Sequence, residues 1–261
     1  MTQDERRIWL INYLLKERDM HKSHELPHGR DEQRQLLRSL MNIRMPMPVS
    51  EEFILIQDQY LRERNIERGI VYADDLEPVS SDKSIYIRQG DITTLACNAV
   101  VNACNSRMLG CFQPMHSCID NFIHTYAGVE LRLKMNDIMK AQGHDEPTGH
   151  AKITPGYNLP AKYIIHTVGP VVYGWLTREN EEELASCYTS CLNIAAENGV
   201  DSIAFCCIST GVFMFPQDKA AEIAVSTVKK WRDEHSDSCI KKIIFNVFKD
   251  RDLNIYKNIL G

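Results

Sequence analysis

The sequence predicts a mixed α/β sandwich, a sheet with helices on both faces, preceded by a helical segment. Three observations carry that expectation. Apolar residues recur at helical spacing up to about Gly69, short apolar runs alternate with amphipathic helices from Ser84 onward, and Gly or Pro closes several of these elements.

Trp9, Leu10, Tyr13 and Leu14 share one helix face, and Leu36, Leu37 and Leu40 mark a second helix that stops near Met45, Pro46 and Pro48. Between them, HKSHELPHGRDE carries His21, His24 and His28. Three imidazoles suit a metal, but the composition reads as a solvated loop. Ser50, followed by Glu51, Glu52 and Phe53, starts a third helix with its acids in the first turn, and this helix runs past Ile54, Tyr60 and Leu61. These helices alone make a thin core, so they are expected to pack on the rest of the chain. The only linker candidate, DDLEPVSSDKS, is short.

Beyond it, Ile85 and Ile87 alternate with Tyr86 and Arg88 as in a partly buried strand, and Ala99 to Ala103 is more continuously apolar. One helix is expected from Cys118 to Met139. GHAKITPGY gives a short strand and turn, and YIIHTVGPVVY a strand ended by Gly169 and Pro170. Leu184, Cys187, Tyr188, Cys191, Leu192 and Ala195 trace one face of a helix that has an acidic start and stops near Gly199. A strand from Ser202 to Ile208 leads through STGVFMFP into a helix opened by Pro216, with Ala220, Ile223, Ala224, Val228 and Trp231 on its apolar side. The strand KKIIFNVF and a short helix around Leu253, Tyr256 and Ile259 complete the pattern.

Composition narrows the function classes. With 44% hydrophobic and 25% charged residues the chain is globular rather than disordered. A net charge of −5 gives no phosphate-tracking surface, which disfavours nucleic acid. No apolar run approaches the roughly 20 residues needed to span a bilayer, and MTQDERRIW carries charges where a signal core would be apolar. The expected location is the cytoplasm, with no membrane partner. Nine cysteines are then reduced thiols. Cys187, Cys191, Cys206 and Cys207 read as packing, and Cys97, Cys104 and Cys239 lack a ligand pattern.

The chemistry gathers between Gly90 and His124 and again between Ser209 and Phe213. Both polar loops follow strands directly, where α/β folds bind ligands. Cys111, His116 and Cys118 supply two thiolates and an imidazole, a set suited to Zn²⁺ with a fourth position open for water or a substrate oxygen. The same spacing also fits unligated thiols beside a surface His, or a structural zinc completed by Cys104. Asn102 and Asn105 carry amides that suit ribose hydroxyls or a turn. Asp120, two residues beyond the last ligand, suits a general base or a helix-start charge. Ser209, Thr210, Gly211, Val212 and Phe213 offer backbone N–H groups ahead of a helix, a phosphate cradle or simply a tight connection. Gly90-Asp91 suits a turn, or an acid that receives an adenine amino group, while Phe245 and Phe248 read as core, with base stacking as the alternative.

GDIT at 90–93, VVNACNSRMLG at 100–110, GYNLPAKYIIHTVGP at 156–170 and STGVFMFP at 209–216 resemble the macrodomain family. GCFQPMHSCIDNFIH resembles its bacterial zinc-dependent branch of protein-ADP-ribose hydrolases, with a Cys/His insertion where ordinary relatives are glycine-rich. The resemblance implies a three-layer α/β/α sandwich with a mixed central sheet over residues 81–261, and a helical extension over residues 1–80 packed on it. It assigns Asp91 and Ile92 to adenine, Asn102 and Asn105 to the distal ribose, Gly110 and residues 209–213 to the diphosphate, and Asp120 with Asn102 to catalysis. Cys111, His116 and Cys118 become zinc ligands. The implied activity is removal of mono-ADP-ribose from protein side chains, with an ester link to Asp or Glu favoured. A lipoylated glycine-cleavage-type carrier protein is the implied partner. An ADP-ribose reader without turnover and an O-acetyl-ADP-ribose deacetylase are the alternatives, because both use the same pocket.

Overall fold

Ser50 begins its helix through its own side chain: Oγ accepts the Phe53 N–H at 3.1 Å. Thr2 does the same for Glu5 at 3.2 Å, and the Glu5 carboxylate returns to the Thr2 N–H at 2.8 Å. The computed structural model describes residues 1–19 and 26–261, so the reading of His21 and His24 as a solvated loop lies outside the described residues. Helices α1 (Gln3–Glu17), α2 (Arg30–Ile43) and α3 (Glu51–Glu67) bury Leu10, Ile11, Leu14, Leu37, Phe53 and Leu61 against one another, with Val129 joining from later in the chain.

The strands and helices that follow are β1 (Val71–Tyr72), β2 (Pro78–Val79), β3 (Asp82–Gln89), β4 (Leu95–Ala96), β5 (Ala99–Cys104), α4 (Ile119–Ala127), α5 (Val129–Gln142), β6 (Ala151–Pro155), β7 (Tyr163–Val168), α6 (Arg178–Glu197), β8 (Ser202–Phe205), α7 (Gln217–Glu234), β9 (Lys242–Val247) and α8 (Asp250–Leu260). The main sheet runs β2-β3-β9-β8-β5-β7-β6. Its five inner strands are parallel and β2 and β6 close the edges antiparallel, so the sheet is mixed. Consecutive residues such as Val100 and Val101, Ile164 and Ile165, and Ile243 and Ile244 are all fully buried, which requires cover on both faces. The result is a three-layer α/β/α sandwich with additional N-terminal helices.

Four local expectations change. The helix expected from Cys118 to Met139 is two, broken at Gly128. Gly128 has φ +102°, and a Cβ there would lie 2.6 Å from the Gln57 amide of α3. Gln57 Oε1 accepts the Val129 N–H at 2.9 Å and so starts the second helix. The strand expected to reach Ile208 ends at Phe205, and the stretch read as a linker contributes β2 and the start of β3. Phe245 is core as expected, but Phe248 stands just past the end of β9 and is 72% exposed.

β5 and β8 are parallel neighbours, so the loops after them emerge at the same end of the sheet. From β5 the chain passes to β6 and β7 on one side, then returns to β8 and β9 on the other, which makes this strand pair a switch point where such sheets hold ligands.

Candidate active site

The loop between β5 and α4 begins with a turn. Asn105 Oδ1 accepts the Arg107 N–H at 3.1 Å, and its carbonyl accepts Met108 N–H at 3.0 Å. Met108, Gly110 and Met115 all take left-handed φ angles, which folds the loop back on itself. Gly110 is required twice, by its φ of +81° and because a Cβ would meet the His124 ring at 2.7 Å.

That path brings Cys111, His116 and Cys118 together, their ligand atoms all within 4.8 Å of one another and each side chain half-buried. Cys111 Sγ lies 3.5 Å from His116 Nδ1. Tetrahedral zinc, with bonds of about 2.3 Å to sulfur and about 2.0 Å to nitrogen, sets those atoms about 3.5 Å apart, so the donor set fits the ion in chemistry and the Cys111–His116 pair fits it in spacing. Cys104 is not one of the group: it is buried in β5 and its thiol donates to the Thr167 carbonyl at 3.4 Å. Burial pushes the Cys118 thiol up to about 12, with the Asn121 N–H pulling down and Cys111 adding to the rise. A cation beside such a thiol reverses that preference.

Cys118 also caps α4, which places Asp120 in the first turn and 4% exposed. Asn102, wholly buried in β5, donates Nδ2 to Asp120 Oδ1 at 2.9 Å and to His166 Nδ1 at 3.1 Å. An amide nitrogen only donates, so His166 Nδ1 accepts and its Nε2–H goes to Thr154 Oγ1 at 3.0 Å. Burial holds His166 neutral, with its pKa lowered to about 3. Burial pushes the Asp120 carboxyl up to about 6, while the Asn102 amide and the Arg132 charge pull it down. His124 Nε2 lies 3.6 Å from Asp120 Oδ1, but burial and then the Arg132 charge keep the ring well below its ordinary pKa. Asn102 Oδ1 and both ring nitrogens of His124 are buried without a hydrogen-bond partner.

On the other side of the switch point, Ser209 and Met214 take left-handed φ, and Ser209 and Gly211 carbonyls accept from Phe215 at 3.0 Å and Met214 at 3.1 Å. Thr210 N–H reaches the Cys207 carbonyl at 3.4 Å. The N–H groups of Gly211, Val212 and Phe213 donate no hydrogen bond among the described residues. Ser209 Oγ is buried and unpartnered, whereas Val212 is 66% exposed. At the end of β3, Asp91 caps a short turn: Oδ1 accepts from Thr93 N–H at 2.9 Å and Oγ1 at 2.6 Å, and Oδ2 pairs with Arg68. Ile92 beside it is buried.

The structure thus gathers Cys111, His116 and Cys118 at the head of the helix that carries Asp120, bonds Asp120 to Asn102, and sets Asp91 after β3 and the 209–213 loop after β8, the two parallel neighbours of β9. It adds four residues that sequence reasoning passed over. His166 had a signal, a lone His inside the apolar run YIIHTV; Arg38, Arg68 and Arg132 had none, because the site residues they hold, His116, Asp91 and Leu109, are 23 or more residues away.

The Macro domain family matches residues 101–224. A protein-ADP-ribose hydrolase of Treponema medium is 55% identical over 263 aligned residues covering 100% of both chains. One from Staphylococcus aureus strain MSSA476 is 48% identical, with 95% of this chain and 92% of the relative covered. Among solved structures, a Trypanosoma brucei macrodomain in complex with ADP-ribose has a TM-score of 0.67 at 30% identity, covering 86% of this chain and 95% of that one. An Oceanobacillus iheyensis macrodomain with ADP has a TM-score of 0.61 at 33% identity, covering 70% and 92%. By sequence over its whole length and by the topology of its sheet, the chain belongs to the macrodomain family.

Proposed function

We propose that the protein is a zinc-dependent hydrolase that removes mono-ADP-ribose from modified protein side chains, with ester-linked Asp or Glu as the substrate. The observation that carries this is the convergence of Cys111, His116 and Cys118 within 4.8 Å at the head of the helix whose first turn holds Asp120. The hydrolase relatives and the nucleotide-bound macrodomain structures support the ligand and the reaction class.

Cys111, His116 and Cys118 would hold the zinc, which would supply a Lewis acid to the site. ADP-ribose lies across the strand ends, with adenine near Asp91 and Ile92 and the diphosphate on N–H groups of Gly110 and residues 210–213. The uncommitted N–H groups of 211–213 support that placement. Asn105 shapes the ribose loop through its turn. Asn102 holds Asp120 with Nδ2 and leaves its orphaned Oδ1 as acceptor for a ribose hydroxyl. With a pKa of about 6, Asp120 is mostly ionised at neutral pH and takes the proton of the attacking water at a carboxylate oxygen. The water oxygen bonds to C1 of the ribose as the bond from C1 to the ester oxygen breaks, and the side chain leaves as a carboxylate anion that needs no proton, which is why an ester suits the site.

A lipoylated glycine-cleavage-type carrier protein is the first partner to test, on the strength of the resemblance to the zinc-dependent branch. The proposed setting is the cytoplasm; among the described residues no helix is long and apolar enough to cross a membrane. The experiment is discharge of a mono-ADP-ribosylated protein with and without a strong zinc chelator. Release that the chelator stops and added zinc restores is the expected result. Stoichiometric metal with nucleotide binding but no release would overturn the reading.

A further inference from the structure

Between β5 and α4 the chain has no regular secondary structure for more than a dozen residues, yet it must hold three ligands to one ion. Three left-handed residues give that loop its shape but do not anchor it. The anchors run to α2, directly or through side chains of α4 and α5 that bond to it.

Arg38 of α2 donates Nη2 to the carbonyl of His116 at 2.7 Å. The same guanidinium holds Asn121 Oδ1 through Nη2 at 2.7 Å and Nε at 3.2 Å. Asn121 Nδ2 passes that hold to the Gln113 carbonyl at 2.9 Å. The Phe122 ring backs the guanidinium at 4.1 Å, so its plane has little freedom. One turn further along α2, Asn42 Oδ1 accepts the Met115 N–H at 3.1 Å while its Nδ2 donates to Thr125 Oγ1 at 2.9 Å.

The start of the loop is tied to the same helix end. Arg132 of α5 donates Nε to the Leu109 carbonyl at 2.7 Å, and Nη1 to the carbonyls of Met41, Asn42 and Arg44 at 3.1, 2.8 and 2.5 Å. Those are carbonyls at the C-terminus of α2, where a cation is favoured by the helix dipole and by the orphaned acceptors. Backbone groups at 115 and 116 are therefore held by α2 directly, and those at 113 and 109 by Asn121 of α4 and Arg132 of α5, side chains that themselves bond to α2.

We propose that the N-terminal helices serve as the outer frame of the metal site, with Arg38 and Asn42 as positioning residues for Cys111, His116 and Cys118. This rests on the metal reading above. It gives residues 1–80 a defined role: the extension packs on the later chain so that α2 sets where the ligand atoms stand. Groups that orient metal ligands from outside typically change affinity by about 10- to 100-fold when removed.

The test is zinc affinity, by competition with a chromophoric chelator, together with the Co²⁺ absorption spectrum of the substituted protein. Arg38→Ala and Asn42→Ala are expected to raise the zinc Kd about 10- to 100-fold and to alter the Co²⁺ bands. Arg38→Lys keeps the charge without the fork, so it should fall between wild type and Arg38→Ala. Gln57→Ala is the control: it removes the bond to Val129 that docks α3 on α5, touches no residue of the ligand loop, and should lower Tm with zinc Kd unchanged. Should Arg38→Ala fail to fold, Asn42→Ala and Arg38→Lys carry the test. Wild-type affinity and spectrum in the α2 variants, or an equal loss in Gln57→Ala, overturns the positioning role. A wild-type protein that binds no zinc overturns the metal reading beneath it instead, so the two failures are distinct.

Discussion

The Asn102 amide, wholly buried in β5, donates to the Asp120 carboxylate at 2.9 Å and so ties the acid of the site to the centre of the sheet. The same nitrogen serves His166, which makes one side chain the hub of a buried polar chain from Thr154 to Asp120. Asn102→Ala leaves Asp120 Oδ1 and His166 Nδ1 without the hydrogen bonds they accept from it, while His166 keeps Thr154 at Nε2. Leaving such groups unsatisfied costs about 1–3 kcal/mol each, so urea unfolding of the variant should show a clear loss of stability along with lost turnover. An unchanged midpoint would show that the chain is not structural.

Asp120→Asn separates chemistry from folding. The side chain keeps its shape and an oxygen that can accept from Asn102, but it has no basicity. General base catalysis is typically worth about 10²–10⁴-fold, and release of ADP-ribose should fall by that order while Tm and ADP-ribose Kd stay near wild type. Wild-type turnover in this variant removes Asp120 from the proposed chemistry.

Cys118→Ala takes away one of the three proposed ligands together with a thiol that burial alone would keep protonated. Metal analysis should show the loss of bound zinc, and turnover should go with it. The chelated wild-type protein should behave like the variant and recover on adding zinc, which the variant should not. Full activity in a zinc-free preparation of either one would end the metal proposal.

Gly110→Ala challenges the loop from the inside. A left-handed φ costs an L-residue about 1–2 kcal/mol, and here the new methyl would also press on the His124 ring, 2.7 Å from the ideal Cβ position. His124 lies under the loop in a packed interior, so the strain should emerge as displacement of the Cys111 backbone. Calorimetry should record a lower Tm and nucleotide titration a weaker Kd; a variant equal to wild type in both would mean the loop yields freely.

Much of this was legible because it is local. Cys111, His116 and Cys118 lie close together in sequence and converge in space, Ser50 caps its own helix, and the change from helical to strand periodicity at Ser84 falls inside β3, two residues after it starts. What escaped was imposed from far along the chain. The pattern from Cys118 to Met139 stays helical on both sides of Gly128, and the break comes from Gln57, whose partner Val129 is 72 residues away. Arg38 carries no signal in the sequence, because the carbonyl it holds, that of His116, is 78 positions on. Phe248 looks like core because it ends an apolar run, but pairing stops at Val247 and the ring is left outside.

Glu130 predicts how stability should change with pH at the junction of the N-terminal helices and the rest of the chain. It starts α5 beside Asp58 of α3, and burial, then the Asp58 carboxylate, push it up to about 7 against the pull of Arg62. The folded protein therefore keeps this proton from about pH 4.5, the ordinary glutamate value, up to about pH 7, where the unfolded chain has released it. More protons on the folded state means that stability falls as pH rises through that window: the contribution is fully present below the unfolded value and gone above the folded one. Glu130→Gln is neutral at every pH, so the difference in Tm, variant minus wild type, should grow between about pH 4.5 and 7 and then level off. Thermal melts across that range decide it, and a difference that stays flat means the proton is not held at this junction.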